Sequence, residues 1–131
     1  MSIVETLKRA CEGLLMMSES DYPFEVFLWP SAAKEALTTV KLLQLTSHPQ
    51  GTPVETVDLD YFFRNSAQEK DWHNEQQKAE VKKFQSLVKT LKSHLSDIKV
   101  YRIGTISIDV YIVGKTQSDD LAGLSTKVVE T

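Results

Sequence analysis

A set of oxygen-bearing groups that could hold a cation stands at the end of this chain, in Val128-Val129-Glu130-Thr131. Most domains finish in a polar tail that frays. Here two β-branched apolar residues lead into a carboxylate, a hydroxyl and the α-carboxylate, with no spacer to separate them from the folded body. A rigid cluster of such oxygens suits a hard cation such as Mg²⁺. The same residues also read as a last strand that merely finishes there. Composition and spacing alone favour that plainer reading.

Two further residues stand apart from a bland pattern. Glu19 lies in a polar loop between Ser18 and Ser20 and next to Asp21. It reads either as a solvated loop acid or, if the loop neighbours the terminus, as a further oxygen ligand. Trp72 follows Glu69-Lys70-Asp71 at the start of a long helical pattern. At about 100° per residue it sits roughly 120° from the apolar stripe, off the core-facing side. It is either a helix-start staple or an exposed aromatic anchor among charges, the composition of an interface hot spot.

Other chemistries lack support. His48, His73 and His94 share no metal-ligand spacing and read as surface residues. There is no Gly-rich phosphate loop, no Gly-x-Ser-x-Gly elbow and no Cys-x-x-Cys. Asp58 and Asp60 suggest paired carboxylates, but Asp58 reads first as a helix cap. The residues therefore point away from an enzyme. The single cysteine, Cys11, excludes an internal disulfide, suits a reducing compartment, and reads as a small buried hydrophobe.

The elements that must position these residues follow from periodicity. Ile3, Val4, Leu7, Ala10, Cys11, Leu14 and Leu15 predict a helix over 3–17, with Ser2 and Glu5 as a capping box. Phe24–Trp29 reads as a strand covered on both faces. Residues 37–45, rich in β-formers, read as a second strand, and 46–53 as a turn. Asp58–Phe63 reads as a short capped helix. Residues 74–95 predict the longest helix, with Val81, Phe84, Val88, Leu91 and Leu95 inward and Lys78, Lys82, Lys83 and Lys89 opposite. Residues 98–103 and 105–113 alternate around Gly104 as a hairpin. Asp119–Gly123 reads as a loop and Leu124–Glu130 as the last strand. Interleaved helices and strands imply one α/β layered domain over 1–131, with a mixed or antiparallel sheet.

Its 131 residues, 41% hydrophobic and 25% charged, suit a single soluble domain with a real core. No apolar run approaches a membrane span, and no signal peptide is expected. Net charge is −3, from 15 bases and 18 acids. The whole excess lies in residues 1–29, which hold Glu5, Glu12, Glu19, Asp21 and Glu25 against Lys8 and Arg9. Residues 76–102 carry a basic surplus. This separation can steer a charged partner, but the overall balance is not that of a nucleic-acid binder.

The segment from Gly13 to Trp29 resembles the corresponding stretch of the nuclease A inhibitor family. So do Val100-Tyr101-Arg102-Ile103-Gly104, Asp109-Val110-Tyr111 and the ending Leu121–Thr131, including where it stops. The likeness extends over essentially the full length. It implies a three-layer α/β/α sandwich with a mixed, largely antiparallel sheet, similar to class 1 pathogenesis-related proteins. It implies a cytoplasmic inhibitor, monomeric when free, that forms a one-to-one complex with a sugar-nonspecific, Mg²⁺-dependent ββα-metal nuclease. In that family's terms Thr131 reaches the nuclease's catalytic metal, Glu19 approaches the same ion, and Trp72 is the interface tryptophan. Asp71 and Glu130 complete the expected partner-binding set. No cofactor of its own is implied, only the Mg²⁺ of the nuclease, and neither direct nucleic-acid nor membrane binding. The sequence departs most from the family at 30–56 and 64–70, where Gln68-Glu69-Lys70 precede Asp71. The alternative is a non-inhibitory interaction module of the same fold that binds another protein or nucleic acid through its basic helix.

Overall fold

Alternating apolar and polar residues on both sides of Gly104 build the centre of a sheet, because successive side chains in a strand face opposite ways. In the computed structural model, residues 3–16, 22–30, 37–63 and 75–129 are described. Their strands are β1 (Leu15–Met16), β2 (Tyr22–Pro23), β3 (Glu25–Trp29), β4 (Val54–Val57), β5 (Ser96–Ile103), β6 (Ser107–Lys115) and β7 (Leu121–Val129). Their helices are α1 (Ile3–Cys11), α2 (Thr39–Leu45), α3 (Leu59–Phe62) and α4 (Glu75–His94). The main sheet has five strands in the order β3-β7-β6-β5-β4, and β1 and β2 form a separate two-stranded ribbon.

Every described pairing in the main sheet is antiparallel, so of the mixed or antiparallel sheet expected the antiparallel form is found, and the mixed one is corrected. The reason is connectivity. Strands β4 to β7 are spatial neighbours in chain order, and β3 joins the outer edge of β7. Even the long excursion through α3 and α4 returns to pair β5 antiparallel to β4, so no parallel crossover is needed.

The sheet carries apolar side chains on both faces. On one face Val100, Ile108, Val110, Ile112, Leu124 and Val128 meet Leu7 of α1 and Phe84, Leu87 and Leu91 of α4. Phe24, Phe63 and Phe84 close this core with ring centroids 5.9–6.3 Å apart. On the other face Leu42 and Leu43 of α2 cover Ile103, with Trp29, Tyr101 and Tyr111 packed alongside.

Several expected elements change. The first helix stops at Cys11, not at 17, because Gly13 adopts φ +77° and Leu14 N–H bonds the Cys11 carbonyl at 3.1 Å. A glycine in the left-handed region ends a helix without steric cost. Residues 37–45 form α2 in place of a strand. The Thr38 side chain caps it by accepting from Lys41 N–H, and Leu42 and Leu43 are buried. The expected loop at 119–123 is largely strand, since β7 begins at Leu121. Strand β3 touches clusters on both faces through Val26 and Phe27, but lies at the sheet edge and leaves Glu25 and Leu28 exposed. Strand β4 was not expected. The capped helix after Asp58, the hairpin around Gly104 and the long α4 stand as read, and Cys11 is a free, buried thiol at the end of α1.

Candidate functional site

Glu19, Asp71, Trp72, Glu130 and Thr131 lie outside the described residues. Of the nearest described residues, Met16, Tyr22, Phe63 and Val129 lie towards one end of the fold. The antiparallel pairs Leu15↔Pro23 and Met16↔Tyr22 bracket segment 17–21. This ribbon is pinned to β7, because the Thr126 hydroxyl donates to the Pro23 carbonyl at 3.1 Å and lies 3.5 Å from that of Tyr22. Beside it, Lys127 Nζ sits 5.8 Å over the Tyr22 ring. The described part of β7 ends two residues on, at Val129, which pairs with Ser107.

Described residues before and after segment 64–74 reach Phe24. Phe63, which precedes it, packs on Phe24. Helix α4 follows it. Phe84 of α4 also meets Phe24, next to the pair Glu25↔Ser125. The far end of α4 sits at the opposite side of the sheet, where Leu95 packs so close to Gly114 that a Cβ there would lie 2.6 Å from the leucine Cβ. Helix α4 therefore runs from the Phe24 end towards the Gly114 end.

The same end carries a cleft of about 390 Å³ on the sheet face opposite the main core. Glu25 and Tyr111 flank Ser125 from the two strands beside β7, and Asp109 faces Lys127 one row further out. Lys127 Nζ is 4.0 Å from Asp109 Oδ1. His48, expected at the surface, is instead largely buried over this row, its side chain 17% exposed. Its Nε2 lies 2.7 Å from Asp109 Oδ2 and its Nδ1 2.6 Å from Thr46 Oγ1. A carboxylate only accepts, so Nε2 carries a proton and donates. Burial, with Asp109 and Glu25 nearby, raises the Tyr111 phenol above its ordinary value. Burial does the same to Tyr101 and to the Cys11 thiol.

Other readings from the residues resolve. Asp58 caps α3 by accepting from Asp60 N–H at 3.0 Å. Asp60 instead receives Lys92 Nζ at 2.7 Å, tying α3 to α4, so the two carboxylates do not face one reaction centre. His94 is exposed and His73 lies outside the described residues. Lys82, Lys83 and Lys89 are exposed along α4, whereas Lys78 is half-buried. Among the described residues no three acidic, histidine or cysteine side chains are grouped to hold a metal ion. Among them, too, no helix is long and apolar enough to cross a membrane. The cleft was not foreseen from sequence. Alternation in β6 puts Asp109 and Tyr111 on one face, but only the register with β7 and β3 adds Ser125, Lys127 and Glu25.

The antiparallel sheet and its helices define a mixed α/β domain. The chain belongs to the nuclease A inhibitor-like protein family, whose model matches residues 1–131, the whole chain. No curated protein matches it.

Proposed function

We propose that this protein inhibits a sugar-nonspecific, Mg²⁺-dependent endonuclease of the ββα-metal type by plugging its active site. Family membership supports the inhibitor class and a nuclease as partner. The observation that supports the mechanism is that the described residues next to segments 17–21 and 130–131, together with Phe63 before segment 64–74, lie towards one end of the fold. A partner docked on that end can meet all three.

In this reading Thr131, through its hydroxyl or the α-carboxylate, and Glu19 offer oxygens to the nuclease's ion. Mg²⁺ accepts such ligands beside retained water, and when bound in the nuclease it polarises the phosphate and activates water. Oxygens without a cleavable phosphodiester occupy that place and give no turnover. Trp72 anchors the rim, with Asp71 and Glu130 beside the plug. The ion belongs to the partner, and the chain is not itself an enzyme. The complex is one-to-one, the free protein is a cytoplasmic monomer, and the helices on the two sheet faces form a three-layer sandwich like that of class 1 pathogenesis-related proteins.

The test is a titration of DNA digestion by a ββα-metal nuclease. Protein ending at Thr131 should abolish digestion near equimolar ratio. Two residues added after Thr131, or Thr131→Ala combined with Glu19→Ala, should weaken inhibition at least about a hundredfold, as for lost contacts to a buried charge, with the melting temperature unchanged. Full inhibition by the extended protein would sink the plug. A second reading rests on the exposed lysines of α4: an interaction module for another protein or a nucleic acid. Undiminished digestion at several-fold excess of inhibitor would favour it.

A further inference from the structure

The cleft beside β7 is already organised around a positive charge. Its floor is Ser125, small enough to leave space between Glu25 and Tyr111 on the flanking strands. Tyr22, Tyr111, Glu25 and Asp109 line it, with Asp109 Oδ2 held by His48 Nε2 at 2.7 Å and Oδ1 facing Lys127. Lys127 holds the cation position loosely, 4.0 Å from Asp109 Oδ1 and 5.8 Å from the Tyr22 ring centre, with 41% of its side chain exposed. Among the described residues no cation pairs with Glu25, whose side chain is exposed. Glu25, Asp109 and Lys127 together therefore carry a net negative charge.

We propose that this cleft binds a guanidinium group, the side chain of an arginine presented by the inhibited nuclease. The identity of the occupant rests on the inhibitor reading. The chemistry of the cleft selects the group. A guanidinium is planar, stacks on aromatic rings, and donates to two carboxylates at once, whereas an ammonium is a compact and strongly hydrated point charge. Two rings and two carboxylates around one space fit the former. Arginine is also the side chain that nucleic-acid-binding surfaces use for bidentate phosphate contact. Lys127 moves aside to solvent as the guanidinium enters. The location agrees, since Lys127 stands two residues before Val129 at the same end as the flanks of the plug. An interface of ordinary size, about 800 Å² per partner, covers both.

Two measurements test it. In the first, ethylguanidinium chloride is titrated into the free protein and backbone amide resonances are followed. Saturable shifts at Ser125, Lys127 and Tyr111 are expected, half-complete at tens of millimolar, roughly what two weak ion pairs and ring stacking together support. They should be several-fold weaker with ethylammonium and with the Glu25→Gln protein. Asp119→Asn, in the turn at the far end of the sheet, should leave them unchanged. Linear shifts, or equal ones with ethylammonium, overturn the proposal. In the second, Glu25→Lys is compared with the unaltered protein as an inhibitor of the nuclease. A loss on the order of tenfold is expected. Equal inhibition by both proteins overturns the cleft and leaves the plug standing. If the unaltered protein does not inhibit at all, the inhibitor reading and the arginine occupant fall together, and the first titration still decides whether the cleft takes a guanidinium.

Discussion

At Gly123 a single methyl group decides whether the centre of the sheet can close. A Cβ there would collide with the backbone carbonyl of Ile112 and lie 3.3 Å from the Phe27 ring. Neither carbonyl nor strand can yield without parting β6 from β7. Overpacking with movable side chains costs about 1–3 kcal/mol, so Gly123→Ala, which strikes backbone, should cost at least about 3 kcal/mol, read from the urea midpoint. A loss below 1 kcal/mol would mean that the two strands separate readily. This glycine also explains why residues 119–123 read as a loop: the cue that marks turns here serves close approach within a strand. A second residue-scale effect concerns pH. The Tyr111 phenol is raised by burial first, then by Asp109 and Glu25. A raised value means that the folded state holds the proton more tightly than the unfolded one. Its contribution is then complete below about pH 10, the ordinary phenol value, and is lost as pH rises through the folded value. Urea unfolding at pH 9, 10 and 11 should therefore show a steeper loss of stability for the unaltered protein than for Tyr111→Phe. Parallel curves would remove Tyr111 from that linkage.

Helix α3 is only four residues long, Leu59–Phe62, so its cap weighs heavily. The Asp58 carboxylate accepts from the N–H groups of Asp60 and Tyr61 at 3.0 and 3.4 Å, and Leu59 is buried against the core. Asp58→Ala should cost about 1 kcal/mol, measurable by thermal unfolding, with the Lys92–Asp60 contact preserved. No change would show that Leu59 and Phe63 hold the turn by packing alone. This element was legible because a cap followed by apolar residues is a local signal. The β5–β6 hairpin was legible for the same reason, through alternation around Gly104. Helix α2 was not. Its Thr and Val residues favour strands, but Leu42 and Leu43 find their place on the face of the sheet near Ile103, and that tertiary contact outweighs propensity. Strand β4 was missed because Glu55 and Thr56 are exposed and its pairing with β5 crosses a long stretch of sequence. The candidate site divides in the same way. For the terminal residues, which lie outside the described residues, composition alone favours a plain strand end, while Glu25, Ser125 and Lys127 become neighbours of Asp109 and Tyr111 only through strand register.

For the whole molecule, the distribution of charge predicts how it meets its partner. All of the acidic excess lies in residues 1–29, whereas the remainder is balanced and α4 carries exposed lysines. Glu5, Glu12 and Glu25 are exposed, and Glu25 borders the cleft at the proposed docking end. A nuclease surface that holds phosphates is basic, so the acidic part of this protein is drawn to it before any contact forms. Such steering raises the rate of encounter more than the lifetime of the complex. It also fades as salt shortens the screening length, from about 30 Å at 0.01 M to about 3 Å at 1 M. Stopped-flow mixing with the nuclease should therefore show an association rate that falls on the order of tenfold between about 0.01 and 0.5 M salt. The dissociation rate should change far less, because close contacts at the proposed plug are screened less than exposed charges at long range. Replacing Glu5 and Glu12 by Gln should flatten the salt dependence and leave dissociation alone. An association rate indifferent to salt would show that the acid-rich segment faces away from the partner, and would move the docking surface off the end of the fold where β7 and the β1–β2 ribbon meet.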